Sequence, residues 1–140
     1  MTTDLAFAET IPARWYTDPE TLDHERNRIF WRTWQPFAHA AKLASAGSYV
    51  AGEIAGEPCA VVRGNDGTLR GFSNVCRHRA STILEGEGCA KTMRCPYHGW
   101  TYSLEGKLLA APEFEGVANW NREEVRLPAM RVEEWGPFVF

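Results

Sequence analysis

Two short pairs of metal-binding residues, each a cysteine and a histidine, constrain this chain more than any other feature of its sequence. The first pair is Cys76-x-His78 and the second is Cys95-x-x-His98, with residues 79–94 between them. Two irons bridged by sulfide take this donor set, with two thiolates on one iron and two imidazoles on the other. Because each pair then serves both irons, we expect each pair on a tight loop. The sequence therefore predicts a [2Fe–2S] cluster held by these four residues.

Two other interpretations of the same four residues stay open. A structural zinc ion also takes two cysteines and two histidines, but zinc sites usually place a cysteine pair before a histidine pair. Here the order alternates, and the single residue between Cys76 and His78 is short for two ligands of one tetrahedral ion. Free cysteines are also commonly buried in protein cores. Two mixed pairs in segments with glycine and proline favour the cluster over both alternatives.

Length and charge narrow the remaining possibilities. A chain of 140 residues is long enough for one domain with its own core. Its net charge of −3 gives no basic pattern for nucleic acid, and no stretch approaches the roughly twenty apolar residues of a membrane span. The N-terminal residues lack the basic start and apolar centre of a secretory signal. We therefore expect a cytoplasmic protein without nucleic-acid or membrane partners, whose cysteines bind metal rather than form disulfides.

The other cysteines and histidines are expected to take no part in the cluster. Cys59 lies in an apolar run and is predicted to pack in the core. Cys89 is predicted to be structural, since the two cysteine–histidine pairs already complete the ligand set. His24 and His39 lack the spacing of an iron site built from two histidines and a carboxylate. No catalytic residue is therefore predicted in this chain.

The first part of the chain predicts an arm and one helix. Residues 1–16 are expected to form an extended arm with several apolar side chains. Asp18 can cap a helix whose first position is Pro19. Apolar residues on one face continue to Trp34, and Gln35-Pro36 is expected to end the helix.

Short runs of β-type residues separated by turn signals fill the rest of the chain. Asn65-Asp66-Gly67 indicates a hairpin. Frequent turns between short strands predict a mainly β fold, an antiparallel barrel or sandwich with a small cluster-binding subdomain, preceded by one α-helix. Strands are predicted at residues 48–54, 58–63, 68–75, 91–94, 100–103 and 108–110, with extended segments within 125–135.

The two metal-binding segments resemble those of a known family. C-R-H-R-A-S (residues 76–81) and C-P-Y-H-G-W-T-Y (95–102) are similar to the cluster loops of the α-subunit of Rieske non-haem iron oxygenases. W-Y-T-D-P (15–19) and R-I-F-W-R-T-W-Q (28–35) resemble the N-terminal helix region of that family. The resemblance runs from residue 15 to residue 140. Arg79-Ala80-Ser81 and the W-G-P-F segment are closest to choline monooxygenase and related quaternary-ammonium oxygenases, and an aromatic-ring dioxygenase stays open.

The resemblance implies a division of the chain and a set of partners. Residues 1–35 would be the N-terminal arm and helix, 36–134 the Rieske [2Fe–2S] domain, and 135–140 the start of a strand leading towards a missing catalytic domain. In the family that domain holds mononuclear Fe(II) through two histidines and a carboxylate. The implied partners are a reductase or ferredoxin that donates electrons and a catalytic domain of the same or a neighbouring subunit, possible as a homotrimer.

Four residues beside the ligands are expected to support the cluster. Arg77 and Arg79 flank His78 and are expected to steady the anionic cluster or to pair with a carboxylate of a neighbouring subunit. Alternatively, Arg77 and Arg79 are ordinary surface charges with no role at the cluster. Trp100 is expected to pack beneath the cluster and exclude water. Tyr102 keeps the place from which, in the family, a hydroxyl hydrogen-bonds a cluster sulfide.

The same residues predict the redox potential. Trp100 stands where respiratory Rieske proteins carry a serine, so one hydrogen bond to sulfide is missing. Since hydrogen bonds to the sulfurs help to set the potential, a value near the low end of the Rieske range is expected, about −150 mV. The outer nitrogens of His78 and His98 can titrate, so the potential is expected to fall as pH rises through the imidazole range.

Three functions are compatible with the sequence. The first is the cluster domain of an oxygenase, which transfers one electron at a time from a reductase to a mononuclear iron for O₂-dependent hydroxylation or demethylation. The second is a free-standing Rieske ferredoxin, and the third is a zinc-stabilised interaction module. The N-terminal helix and the apolar segment at residues 135–140 favour the first, since an electron carrier needs neither.

Overall fold

The computed structural model describes residues 4–114 and 116–140. These fall into two compact units, one that ends at Trp34 and one that runs from Gln35 to Phe140. Among the described residues, none of the helices has the length and apolar character needed to cross a bilayer.

The N-terminal unit contains the predicted α-helix, but the helix is shorter than predicted. Helix α1 spans Pro19–Glu25, and the Asp18 carboxylate caps it by accepting a hydrogen bond from the Glu20 N–H at 3.0 Å. The chain continues as a π-helical turn over Arg26–Phe30. The prediction that helical structure extends to Trp34 is therefore wrong.

Side chains explain where this helix ends. The Arg32 guanidinium donates to the Asn27 carbonyl at 2.8 Å, and the Thr33 hydroxyl donates to the Ile29 carbonyl at 2.9 Å. The Asn27 carbonyl would otherwise accept from the next turn of a helix, so the Arg32 side chain satisfies it in place of the backbone. The Ile29 carbonyl also accepts from the Arg32 N–H at 3.0 Å, which closes the last turn. The predicted extended arm is also corrected: 3₁₀ turns occupy Leu5–Phe7 and Ala13–Tyr16, while residues 1–3 lie outside the described part.

The described residues of the second unit form eleven short strands in three antiparallel sheets, as the mainly β prediction requires. The largest sheet has the order β5-β2-β3-β4-β9, and the two smaller sheets have the orders β1-β11-β10 and β6-β7-β8. The strands are β1 (Ala38–His39), β2 (Ser48–Ile54), β3 (Glu57–Arg63), β4 (Leu69–Ser73), β5 (Glu87–Cys89), β6 (Met93–Arg94), β7 (Thr101–Tyr102), β8 (Leu108–Ala110), β9 (Ala129–Met130), β10 (Glu134–Trp135) and β11 (Phe138–Val139).

Several predicted strand positions agree with this structure, and others are corrected. Strands β2 and β8 have the predicted bounds, and the predicted hairpin joins β3 to β4 through a turn in which the Gly64 N–H donates to the Thr68 carbonyl. The predicted strands at 68–75, 91–94 and 100–103 are longer than the structure has them. Strands β1 and β5 were not predicted.

Strand β3 separates two parts of the hydrophobic core. Successive side chains of a strand point to opposite faces of its sheet. Ala60 and Val62 accordingly join the main core cluster, while Val61 packs with Leu43 and Val139 in a smaller one. Cys59 is buried, as predicted, whereas Cys89 on the edge strand β5 is exposed. The main cluster also contains two of the four predicted ligands, Cys76 and Cys95, and two of the predicted supporting residues, Trp100 and Tyr102.

Candidate metal centre

The two predicted ligand pairs lie on two loops with the same backbone hydrogen bonds. In loop 1 (residues 76–81) the Cys76 N–H donates to the Ser81 carbonyl at 2.9 Å, and the Ala80 N–H donates to the Cys76 carbonyl at 3.0 Å. In loop 2 (residues 95–100) the corresponding bonds run from Cys95 to Trp100 at 2.8 Å and from Gly99 to Cys95 at 3.1 Å. Each loop therefore reverses the chain tightly around its cysteine.

The loops also share one unusual backbone conformation. The fifth residue of each has a positive φ, +56° at Ala80 and +72° at Gly99. A residue with a Cβ pays about 1–2 kcal/mol for this left-handed conformation, so loop 1 keeps Ala80 there at a cost. Strained backbone of this kind clusters at functional sites, where the surrounding structure holds it in place.

The sheets hold both loops in place. Loop 2 joins β6 to β7, which pair with Met93 opposite Tyr102 and Arg94 opposite Thr101. Loop 1 follows β4, and the buried Asn74 just before it makes two hydrogen bonds to Leu84. The Asn74 amide donates to the Leu84 carbonyl at 2.8 Å, and its oxygen accepts from the Leu84 N–H at 3.0 Å. Asn74 thus closes the segment that carries loop 1.

The two predicted cysteine ligands are buried, whereas the two predicted histidine ligands are partly exposed. Cys76 and Cys95 are 4% and 2% exposed, whereas His78 and His98 are partly exposed. The two imidazole rings approach each other with centroids 4.7 Å apart and planes at 70°. The structure therefore brings the histidines of the two loops together at the surface, with the cysteines below it.

One buried nitrogen tests whether these residues fit a metal cluster. His78 Nδ1 is buried and lacks a hydrogen-bond partner, and Trp100 Nε1 is the other such side-chain atom among the described residues. A buried polar atom without a partner is costly unless something binds it. Burial lowers the pKa of His78, and the nearby charges of His98 and Arg79 lower it further. This favours the neutral imidazole, which is the form that binds a metal.

No three His, Cys, Asp or Glu side chains of the described residues converge as ligands for one metal ion. A cluster of two irons instead divides its four ligands into two pairs. The donor types, the partly exposed histidines and the unpaired His78 Nδ1 all fit the histidine side of such a cluster.

The Tyr102 hydroxyl, which was predicted to hydrogen-bond a cluster sulfide, lies beside the sulfur of Cys76. It is 3.3 Å from Cys76 Sγ and accepts a hydrogen bond from the Arg77 N–H at 3.0 Å. Burial raises the pKa of Tyr102 well above its usual value, and the hydrogen bond with Cys76 adds to the shift. The hydroxyl therefore keeps its proton and can donate to sulfur.

The other predicted supporting residues differ in their surroundings. Trp100 is buried, and its indole ring stacks on the His78 imidazole with centroids 4.9 Å apart and planes at 6°. The side chains of Arg77 and Arg79 are exposed. Arg79 acts on His78 through its charge. Their predicted pairing with a neighbouring subunit stays a prediction.

The sequence analysis missed two contributors. Asn74 gave no signal, because its partner Leu84 lies ten residues away and a single asparagine before a loop is common. Phe114, whose ring meets His78 edge-on at 5.8 Å, lies in a segment that was predicted only as an acidic, glycine-containing loop. Only a contact map would have revealed either contact.

Comparison with known proteins gives the same family. A family model described as the Rieske [2Fe–2S] domain matches residues 33–121. The carnitine monooxygenase oxygenase subunit of Escherichia coli (strain K12) is 46% identical over 134 residues, which are 95% of this chain and 36% of that subunit. The chloroplastic choline monooxygenase of Arabidopsis thaliana is 37% identical over 132 residues, 94% of this chain and 31% of that enzyme.

A solved structure of a quaternary ammonium Rieske monooxygenase, described as bearing on carnitine oxidation and inter-subunit electron transfer, matches the fold. Its TM-score is 0.85 at 36% identity, over 91% of this chain and 35% of that one. The chain thus spans about a third of the length of the curated relatives that it matches. With the two loops, the unpaired His78 nitrogen and this similarity together, the chain belongs to the Rieske [2Fe–2S] domain family and its cofactor is a [2Fe–2S] cluster.

Proposed function

We propose that this chain is the N-terminal Rieske part of an oxygenase α-subunit and transfers single electrons from a reductase or ferredoxin to a mononuclear non-haem iron. That iron would lie in a catalytic domain of the same or a neighbouring subunit. The observation that carries the proposal is the meeting of His78 and His98 at the surface, above two buried cysteines. The family match and the oxygenase names of the relatives support it.

We assign the four ligands as Cys76 and Cys95 to one iron and His78 and His98 to the other. When bound, the cluster supplies one-electron redox chemistry. The Tyr102 hydroxyl supports Cys76 by hydrogen bonding, and Trp100 shields one face of the His78 ring from water. The partly exposed histidines give the electron an exit to the partner.

The substrate class is proposed from the relatives. Carnitine and choline, the substrates named for two relatives, are both quaternary ammonium compounds, so we propose an O₂-dependent hydroxylation or demethylation of that class. Oxidation of an aromatic ring by the full-length protein would contradict this assignment while leaving the electron-transfer role intact. The cytoplasm and a homotrimeric assembly are proposed as the compartment and the oligomeric state.

Anaerobic purification followed by metal and sulfide analysis tests the cluster. We expect about two irons and two acid-labile sulfides per chain, with the visible absorption and EPR spectrum of a cluster with mixed ligands. One zinc and no sulfide would contradict the proposal and favour the zinc-stabilised module.

The coding region separates an oxygenase part from a free-standing ferredoxin. We expect the reading frame to continue beyond Phe140 into a segment that supplies two histidines and a carboxylate for mononuclear iron. A stop codon directly after Phe140 would favour the ferredoxin.

A further inference from the structure

The His78 imidazole has an aromatic neighbour on each of three sides. Trp100 stacks on its face, with planes only 6° apart. His98 of the second loop approaches at 4.7 Å and 70°. Phe114 meets it edge-on, with centroids 5.8 Å apart and planes at 82°. Parallel and perpendicular contacts of this kind are the preferred geometries of aromatic pairs, so together they define the orientation of the ring.

Phe114 is itself held in a closed set of three rings. It contacts Trp100 at 5.1 Å and 86°, and Trp120 at 4.9 Å and 63°. Trp100 and Trp120 are also neighbours, at 6.0 Å. Both Phe114 and Trp120 are half-buried and pack against the main core. The position of the Phe114 ring beside His78 is therefore fixed by two indoles.

Hydrogen bonds next to strand β8 hold together the two ends of the segment that carries Phe114 and Trp120. It follows β8, where the Leu108 N–H donates to the Val125 carbonyl at 3.1 Å. An antiparallel bridge joins Lys107 to Arg126. Because its ends are tied together, the described part of this segment (residues 111–114 and 116–124) reaches His78 from outside both cluster loops.

We propose that Phe114 is a positioning residue for His78, so that the segment carrying Phe114 forms a third side of the metal centre beside the two loops. The inference rests on the proposed role of His78 as a cluster ligand. Groups around a metal-binding histidine fix the orientation of its ring and tune the metal. Here Trp100 stacks on the face of the His78 ring, and the perpendicular Phe114 ring limits its rotation. Without Phe114, the imidazole would gain a range of orientations about its Cβ–Cγ bond.

The test compares Phe114→Leu with a matched control, Phe138→Leu, in the cluster-loaded chain. Phe138 also meets a histidine edge-on, His39 at 6.0 Å and 79°, but neither residue belongs to the metal centre. We expect Phe114→Leu to keep the cluster. Its EPR lines should broaden, the ¹⁴N couplings of its histidine ligands should change, and its midpoint potential should shift. Phe138→Leu should match the wild type in all three measurements, and Phe114→Tyr should restore the wild-type spectrum.

Spectra and a potential of Phe114→Leu that superimpose on those of the wild type would overturn the proposal. If Phe114→Leu does not load the cluster, Phe114→Met is measured by the same criteria, because it conserves more of the side-chain volume. Loss of the cluster from both, with Phe114→Tyr loaded normally, would assign Phe114 to cluster assembly and would also overturn the positioning role. A wild-type chain without iron and sulfide would instead refute the proposed function.

Discussion

The Tyr102 hydroxyl has two partners in loop 1, the Cys76 sulfur and the Arg77 N–H. Its raised pKa keeps it protonated, so it can donate to sulfur. Hydrogen bonds to the sulfurs stabilise the more negative reduced cluster and raise the potential. We therefore expect Tyr102→Phe to keep the cluster but lower its midpoint potential, measured by protein-film voltammetry.

Tyr49→Phe is the matched control for this change. Tyr49 is half-buried and packs against the same core, but its hydroxyl lies near Gly88 rather than near a cluster loop. Its removal should leave the potential unchanged. An equal potential in Tyr102→Phe and the wild type would show that the hydroxyl does not act on the cluster.

The predicted ligand histidines can be separated from the other histidines of the chain. Replacing His78 or His98 by Ala removes one of four cluster ligands, so we expect the iron content to fall from about two per chain towards zero. His24→Ala is the control, because His24 is an exposed residue of α1. Iron and sulfide analysis checks the result. Full cluster content in His78→Ala would exclude that residue as a ligand.

Residue patterns alone suffice to propose a ligand set, because each cysteine–histidine pair is complete within four consecutive residues. The same local view could not find Phe114, whose contact with His78 joins residues far apart in sequence. Sequence patterns also could not predict that the Trp100 ring stacks on the His78 imidazole; they indicated only that Trp100 packs beneath the cluster. Contacts of this kind depend on how the whole unit packs.

At the scale of elements, Asn74 joins the end of β4 to the segment after loop 1. Its side chain satisfies both the N–H and the carbonyl of Leu84 in a buried setting. Asn74→Ala leaves both groups without their partner, at a cost of about 1–3 kcal/mol for each. We expect the urea midpoint to fall accordingly, compared at equal cluster content, and the Leu84 N–H to exchange faster with solvent.

Asn65→Ala provides the comparison, because Asn65 is exposed in the β3–β4 turn. An exposed substitution of this kind usually changes stability by less than about 0.5 kcal/mol. Similar midpoints for the two variants would mean that the Asn74 bonds contribute nothing net.

Alanine substitutions at two glycines in turns distinguish the cost of backbone strain from the cost of a steric clash. Gly106 and Gly67 both have positive φ, +81° and +76°, so alanine at either is strained by about 1–2 kcal/mol. A Cβ at Gly106 would lie 2.6 Å from the Phe72 ring, whereas a Cβ at Gly67 meets nothing within 4 Å. We expect Gly106→Ala to lower the free energy of unfolding by about 1–3 kcal/mol more than Gly67→Ala does. Equal free energies of unfolding for the two variants would contradict the packing of Phe72 against this turn.

Elements with a local signal were predicted well, and those defined by distant partners were not. Asp18 and Pro19 marked the start of α1, and Asn65-Asp66-Gly67 marked the hairpin. Strand β1 has two residues and exists because it pairs with β11 near the other end of the chain. Strand β5 likewise depends on β2. Two or three residues are too few for an alternating pattern, so such strands arise from pairing rather than from propensity.

At the scale of the whole molecule, the proposed function divides electron storage from oxygen chemistry. A mononuclear oxygenase iron needs two histidines and a carboxylate on one face. If His78 and His98 hold the cluster, the chain has only His24 and His39 left. Of these, His39 uses its Nδ1 to accept a hydrogen bond from the Ala41 N–H. The 140-residue chain is therefore expected to store electrons without oxidising a substrate.

An anaerobic titration with dithionite measures the first half of this expectation, and it should consume about one electron per cluster while the visible absorption bleaches. The second half is measured by mass spectrometry after adding O₂ and either carnitine, choline or an aromatic compound to the reduced chain. We expect the electron to pass to O₂ by slow autoxidation without reaching the substrate, because only two histidines would remain for a mononuclear iron site. The carnitine monooxygenase oxygenase subunit of Escherichia coli, assayed with carnitine, is the positive control. A hydroxylated or demethylated product from the short chain would locate an oxygen-activating site within residues 1–140 and would reverse the division of labour argued from its histidines.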